Sequence, residues 1–424
     1  MLIAILLAAA IHWPTITEKK LDNGLTVVLV PLPNVPKVTA ELTFLAGRGT
    51  GYREHPGMAQ LAGRVLNEGT TTRTSKQLKE ELRSIGGSMN VTVDDDGTTI
   101  AANALSEFSP KLLELLDDVA QHPAYPKSEV DLAKTNFAQE IEEQRSQPDF
   151  VANEQFEKAM FGKHPYGFVV PEPAAIAKIT REGLKQFAAS HYAPNNAHLI
   201  LVGDLEPNAM FSEVQKAFGA WKRGTAPPLE SPPLPKREKR QIYFVDRPGS
   251  VQSTMRTANM IFGGSFYSRI TRNIREDKGY TYSPFSVADL RRRAGAFYTG
   301  ASVRNEVTGP AILEMLYELD RMRVLPVTKE ELDSAKTYSI GTLALEMESQ
   351  AGLAHRINTI YTYELPRNFL VTFDEKVNAL EPNDIQSASA RYFDTYRGAI
   401  VIVGDYAKVK GQVAPFGDVT LIKR

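Results

Sequence analysis

Cysteine is absent from this chain of 424 residues. That excludes disulfides, thiolate metal sites and cysteine nucleophiles, and it leaves an oxidising compartment permitted but not required. An excess of either charge is lacking too. The 49 Lys and Arg against 50 Asp and Glu leave a net charge of −1, so no basic field points to nucleic acid or an anionic membrane. Long apolar runs are missing. Residues 1–11, MLIAILLAAAI, fall far short of the roughly 20 needed to span a bilayer, and no later stretch reads as a transmembrane segment. The small-residue end of that run, Ala8-Ala9-Ala10, suits the core of a signal segment over residues 1–13, although the basic flank is missing; a buried strand or helix is the other reading. A signal would place the chain in the periplasm or outside the cell, with the cytoplasm as the alternative. Paired histidines are also lacking. None of His12, His55, His122, His164, His191, His198 and His355 stands three or four residues from another, so no helix face carries two imidazoles.

What is there suggests two folded halves. The length argues for two domains of about 200 residues each. Residues 222–240, KRGTAPPLESPPLPKREKR, are rich in proline and charge and read as an extended linker. It separates residues 14–221 from 241–424. Each half ends on a similar pattern, HYAPNNAHLILVGDLE in the first and RYFDTYRGAIVIVGDYA in the second. Thr180 and Asn383 are the expected caps of the helices before them, and Val202 and Val403 are expected on equivalent strands. A spacing near 200 residues means duplication of a domain, not a solenoid.

Within the halves, strand and helix patterns alternate. Asp22-Asn23-Gly24 is a turn before the strand LTVVLV. Val38, Ala40, Leu42 and Phe44 alternate with Thr39, Glu41 and Thr43, the mark of a half-buried strand. Asp96-Gly97 reads as a hairpin turn. Ser109-Pro110 and Ser128 open helices. The expected fold is α+β: two homologous domains, each a mainly antiparallel sheet with helices packed on one face.

Six segments carry a resemblance. LDNGLTVVLVP, GMAQLAGRVLNEGTTTRT, SEFSPKLLELLDDVAQHPAYP, FGKHPYG, ITREGLKQFAASHYAPNNAHLILVGD and MIFGGSFYSRITRNIREDKGYTYS occur in the order found in the insulinase/pitrilysin peptidases, whose zinc motif is H-x-x-E-H. The chain is similar to that family over nearly its whole length. The resemblance places Gln60 and Arg64 where the two histidines would stand and Gly63 where the general-base glutamate would stand. Only Glu140 survives as the distal carboxylate; alone it reads as a solvated helix residue, because Glu142 and Glu143 sit beside it. Glutamine is a poor zinc ligand, glycine carries no base, and arginine repels a dication. A unit pair at 4 Å is worth about 4 kcal/mol at an effective dielectric of 20, and roughly double that against Zn²⁺. No metal is expected here.

The resemblance also matches Arg275 and Tyr282 to a pair that contacts substrate and stabilises an oxyanion from the wall facing the zinc. Guanidinium and phenol are suitable preorganised donors. Gly279 should end the helix of Arg275 and Tyr282 should start the next strand, with Tyr280 packing. Read from composition alone, Arg275 is a solvated charge and Tyr282 a core aromatic. The run LRRR at residues 290–293 reads as an exposed strand or hairpin end. One stretch is short: about 28 residues separate Val38 from Leu66, but only about 11 separate Val251 from Phe262, which should remove a strand end, a loop and a helix start.

The resemblance implies a non-catalytic partner subunit of a heterodimeric zinc endopeptidase, inactive alone. Zinc would be held by a homologous subunit with intact H-x-x-E-H, and the substrates would be peptides. A structural scaffold subunit and a stand-alone peptide-binding protein are the alternatives.

Overall fold

Residues 13–225, 232–235 and 250–422 are described in the computed structural model. The apolar run 1–12, linker residues 226–231 and 236–240, and residues 241–249 lie outside them.

The first half is built on a six-stranded sheet. Its strands are β1 (Thr17–Lys20), β2 (Thr26–Pro31), β3 (Lys37–Phe44), β4 (Ser88–Val93), β5 (Thr98–Leu105) and β6 (Ala197–Gly203), in the spatial order β1-β2-β6-β3-β5-β4. Only the β2–β6 pairing is parallel. The expected turns join β1 to β2 and β4 to β5. The helices are α1 (Met58–Val65), α2 (Ser75–Ser84), α3 (Ser109–Gln121), α4 (Lys127–Ser146), α5 (Pro148–Phe161), α6 (Pro173–Lys178), α7 (Arg181–His191) and α8 (Pro207–Phe218). Leu61, Leu112, Leu184 and Val214, from α1, α3, α7 and α8, share one core with Val27, Leu29, Leu42 and Ile100 of the sheet. Those helices therefore lie on one face. Thr180 caps α7 by accepting the Gly183 N–H at 3.0 Å.

The second half contains α9 (Ser250–Asn259), π-helical turns at Met260–Gly264 and Thr271–Asp277, the hairpin β7 (Phe285–Leu290) and β8 (Gly295–Gly300), then α10 (Thr308–Val324), α11 (Lys329–Met347), α12 (Gln350–Thr362), α13 (Phe373–Asn378), α14 (Pro382–Tyr392) and α15 (Tyr406–Val413). A hairpin followed by a run of helices occurs in both halves, but β6 interrupts that run in the first half and no described strand does so in the second. The cap of α14 falls at Glu381, whose N–H is accepted by Asp384 at 2.8 Å, two residues before the expected Asn383. Mixed helix and sheet in two domains is the architecture.

Three further expectations need correction. The strand β3 is buried on both faces, not one. Val38, Ala40, Leu42 and Phe44 enter the first-half core, while the polar side, with Thr39, Glu41 and Thr43 buried, lies against α12 of the other half. Val28, Val30, Ile200 and Val202 on that same face pack with Leu353, Ile357 and Ile360. A two-sided cover also explains why β2 reads as an unbroken apolar run.

Second, Val202 lies in β6, but Val403 lies in no strand among the described residues and is exposed with Ile400 and Ile402. In the first half β6 is held between β2 and β3. At the place of β3 in the second half, residues 251–262 are helical throughout, so the shortened stretch offers no ladder for residues 399–403.

Third, the LRRR run is a hairpin end, between β7 and β8, but Arg291 in it is buried. It pairs with Asp289, Glu157 of α5 and Asp95, and its guanidinium sits 5.0 Å from the ring centroids of Phe161 and Tyr166. The Arg292 N–H donates to Asp96 at 3.2 Å, and Tyr166 donates to the other Asp96 oxygen at 2.6 Å. So α12 covers the sheet of the first half, while α5 reaches the hairpin of the second. The halves are clasped twice.

Candidate functional site

Helix α1 carries the three positions of the zinc motif, and α4 packs against it. Arg64 forms an ion pair with Glu140 at 2.9 Å, and its guanidinium lies 4.2 Å from the centroid of Phe137, one turn before Glu140 on α4. Glu140 is thus solvated, as a helix carboxylate was expected to be, but it is also paired with a cation. The spacing that would bring a histidine and a glutamate onto one metal instead brings a cation onto the glutamate. Both side chains are partly exposed, so the pair is worth about 1 kcal/mol at most; its consequence is neutralisation of the Glu140 carboxylate.

Gln60 is turned to the backbone. Its Nε2 donates to the Val169 carbonyl at 3.1 Å, while its buried Oε1 has no partner. Gly63 is packed shut: a Cβ placed there would lie 2.3 Å from Val93 Cγ2 of β4. No carboxylate can occupy the base position unless Val93 moves. Gln60, Gly63 and Arg64 thus do not fit a zinc ion, and among the described residues no group of three or more His, Cys, Asp and Glu side chains is placed to hold a metal.

Arg275 lies on the second π-helical turn. Its guanidinium sits 4.6 Å from the centroid of Phe266 and its Nε is 3.0 Å from Glu276. Gly279 ends the turn as expected, at φ +62, where a side chain would be strained. Its N–H donates to the Arg275 carbonyl at 3.1 Å, and the Tyr280 N–H to that of Ile274 at 2.8 Å. Tyr282 follows this cap but precedes β7, which starts only at Phe285. It is no core aromatic, being 90 % exposed. Phe266 and Tyr267 are exposed as well, in a T-shaped contact at 5.5 Å.

The two buried histidines are engaged in structure. His164 is buried, its Nδ1 accepts the Tyr166 N–H at 3.2 Å, and its pKa is lowered to about 4, first by burial and then by Arg293 and Arg291. His198, buried on β6, is bonded to Asn358 of α12, and burial lowers its pKa to about 4. Asn358 also faces Glu41, whose pKa is raised to about 7 by burial, with the Asn358 hydrogen bond opposing the shift. Sequence reasoning missed this polar triad. Its only signal was a glutamate in the middle of a strand whose other charge, Lys37, stands at its first residue.

Two domains of mixed helix and sheet, with Arg64 of α1 paired to Glu140 of α4, are what the fold and this site define. The chain belongs to peptidase family M16: the family's Insulinase (Peptidase family M16) domain matches residues 26–173, and its Peptidase M16 inactive domain matches residues 178–338. Similar proteins include an uncharacterized zinc protease of Rickettsia felis, 25 % identical over 406 residues, covering 90 % of this chain and 96 % of that one. The Non-peptidase homolog YmxG of Helicobacter pylori is 24 % identical over 387 residues, covering 85 % of this chain and 88 % of its own. In fold, the chain is similar to a Pseudomonas fluorescens crystal structure titled peptidase M16 inactive domain, with a TM-score of 0.83 at 22 % identity over 90 % of this chain and 96 % of that one. No helix among the described residues is long and apolar enough to cross a membrane.

Proposed function

We propose that this chain is the non-catalytic subunit of a heterodimeric zinc endopeptidase, in which a homologous subunit with intact H-x-x-E-H supplies the metal, the water and the base. Arg275 and Tyr282 are its contribution, contacting the peptide and donating to the oxyanion from the wall opposite the zinc. The observation that carries this reading is a contrast within one chain: Arg64 and Glu140 close the metal frame, while Tyr282 is left 90 % exposed after the Gly279 cap. A phenol so exposed has its hydroxyl open to a substrate. The non-peptidase name of the Helicobacter pylori relative supports the inactive half of the reading.

The test is reconstitution. The isolated chain should carry no stoichiometric zinc by elemental analysis and cleave no peptide, and a histidine-bearing partner should give activity that neither shows alone. In that pair Tyr282→Phe removes only a hydroxyl. Loss of one oxyanion donor costs about 2.7–4 kcal/mol, roughly 100- to 1000-fold in kcat. Arg275→Ala should act similarly and also raise KM, whereas Tyr280→Phe should change little. Full activity of the Tyr282→Phe pair, with assembly checked by sizing, would overturn the composite site and favour a scaffold.

A further inference from the structure

The second half contains a cavity of about 120 Å³ between α9, α11, α12 and α13. Its wall is mostly apolar, formed by Leu343, Ile360, Leu365, Phe369 and Phe373. Two polar groups on that wall lack partners. The buried Ser339 Oγ makes no hydrogen bond. The Arg256 guanidinium, partly buried on α9, makes no ion pair or hydrogen bond with any described residue. Burial and then the neighbouring Arg356 hold its pKa below the usual range. Glu346, the carboxylate that acts on it, is already bonded by Arg356. A partly buried cation with no ion-pair partner among the described residues is destabilising, and an unpaired hydroxyl adds to that cost. Both burdens disappear if an anion enters.

We propose that this cavity binds a monocarboxylate carrying a short apolar chain. Arg256 pairs with the carboxylate, with two parallel N–H···O bonds as the favoured geometry, and Ser339 donates a third bond. The aliphatic and aromatic wall takes the chain. An apolar cavity of roughly 150 Å³ accommodates benzene, so in this one of about 120 Å³ the tail is about four to five carbons. Two sources share that chemistry: a free short-chain fatty acid, and the C-terminal residue of a peptide. This site uses neither Arg275 nor Tyr282 and stands independently of the composite-site reading.

The experiment is calorimetric titration and thermal melting of the full chain with hexanoate, N-acetyl-leucine and, as the uncharged control, 1-hexanol. Hexanoate or N-acetyl-leucine should raise Tm and bind at least tenfold more tightly than hexanol; the tighter of the two identifies the source. Arg256→Met should raise Tm without ligand, because an unpaired charge is gone, and should weaken carboxylate binding tenfold or more. Ser339→Ala should fold as wild type and weaken it a few-fold. Equal binding of hexanoate and hexanol, no binding of either carboxylate, or undiminished binding by Arg256→Met would each overturn the proposal.

Discussion

Glu41 shows how one buried residue ties stability to pH. It is 7 % exposed in the centre of β3, and burial raises its pKa from 4.5 to about 7. Below pH 4.5 the group is neutral folded or unfolded and costs nothing. As pH climbs from 4.5 to 7 the unfolded chain releases its proton while the folded one keeps it, so stability falls with pH across that window. The full loss is on the order of 3 kcal/mol. His198 runs the other way: its lowered pKa of about 4 removes stability as pH falls from 6.5 to 4, so in wild type the two slopes oppose each other. Glu41→Gln isolates the first. Its stabilisation relative to wild type, by urea unfolding, should be small near pH 4.5 and should grow by about 2–3 kcal/mol at pH 8. An equal difference at both values would mean that Glu41 is ionised in the fold.

Helix α1 and strand β4 meet where Gly63 faces Val93, and their contact decides what the old base position tolerates. A Cβ at Gly63 would fall 2.3 Å from Val93 Cγ2, so even Gly63→Ala overpacks the junction. It should cost about 1–3 kcal/mol, despite alanine's better helix propensity. Val93→Ala in the same chain should return most of that loss, since the clash is with one methyl group. Additive destabilisation of the two changes would show that the helix and strand do not press on each other. It follows that restoring a glutamate at position 63 would first have to displace β4. At the same scale, the stretch 251–262 is helical, and the segment around Val403 is exposed and pairs with no strand among the described residues.

At the scale of the whole molecule, Arg291 holds the halves together. It brings the hairpin of the second half to Asp95 and Glu157 of the first. Removing one member of a buried ion pair costs about 3–5 kcal/mol, because the remaining charges lose their compensation. Arg291→Met should show a loss of that size in urea, and Arg291→Met with Glu157→Gln should recover part of it. If the single variant unfolds like wild type, the clasp contributes nothing and α12 alone holds the domains. The sequence by itself determined the first-half strands with their turns and the lack of a histidine pair on any helix face, because each depends on local pattern: apolar period, Gly turns, and residue types at fixed helical spacing. The Gly279 cap after Arg275 was legible for the same reason. Only the tertiary structure decided that Arg64 would meet Glu140, that Val93 would fill the space over Gly63, and that the polar face of β3 would be buried under α12. Those outcomes depend on which elements pack together across 30 to more than 300 residues of chain, and side chains so far apart in sequence leave no periodic signal of their meeting.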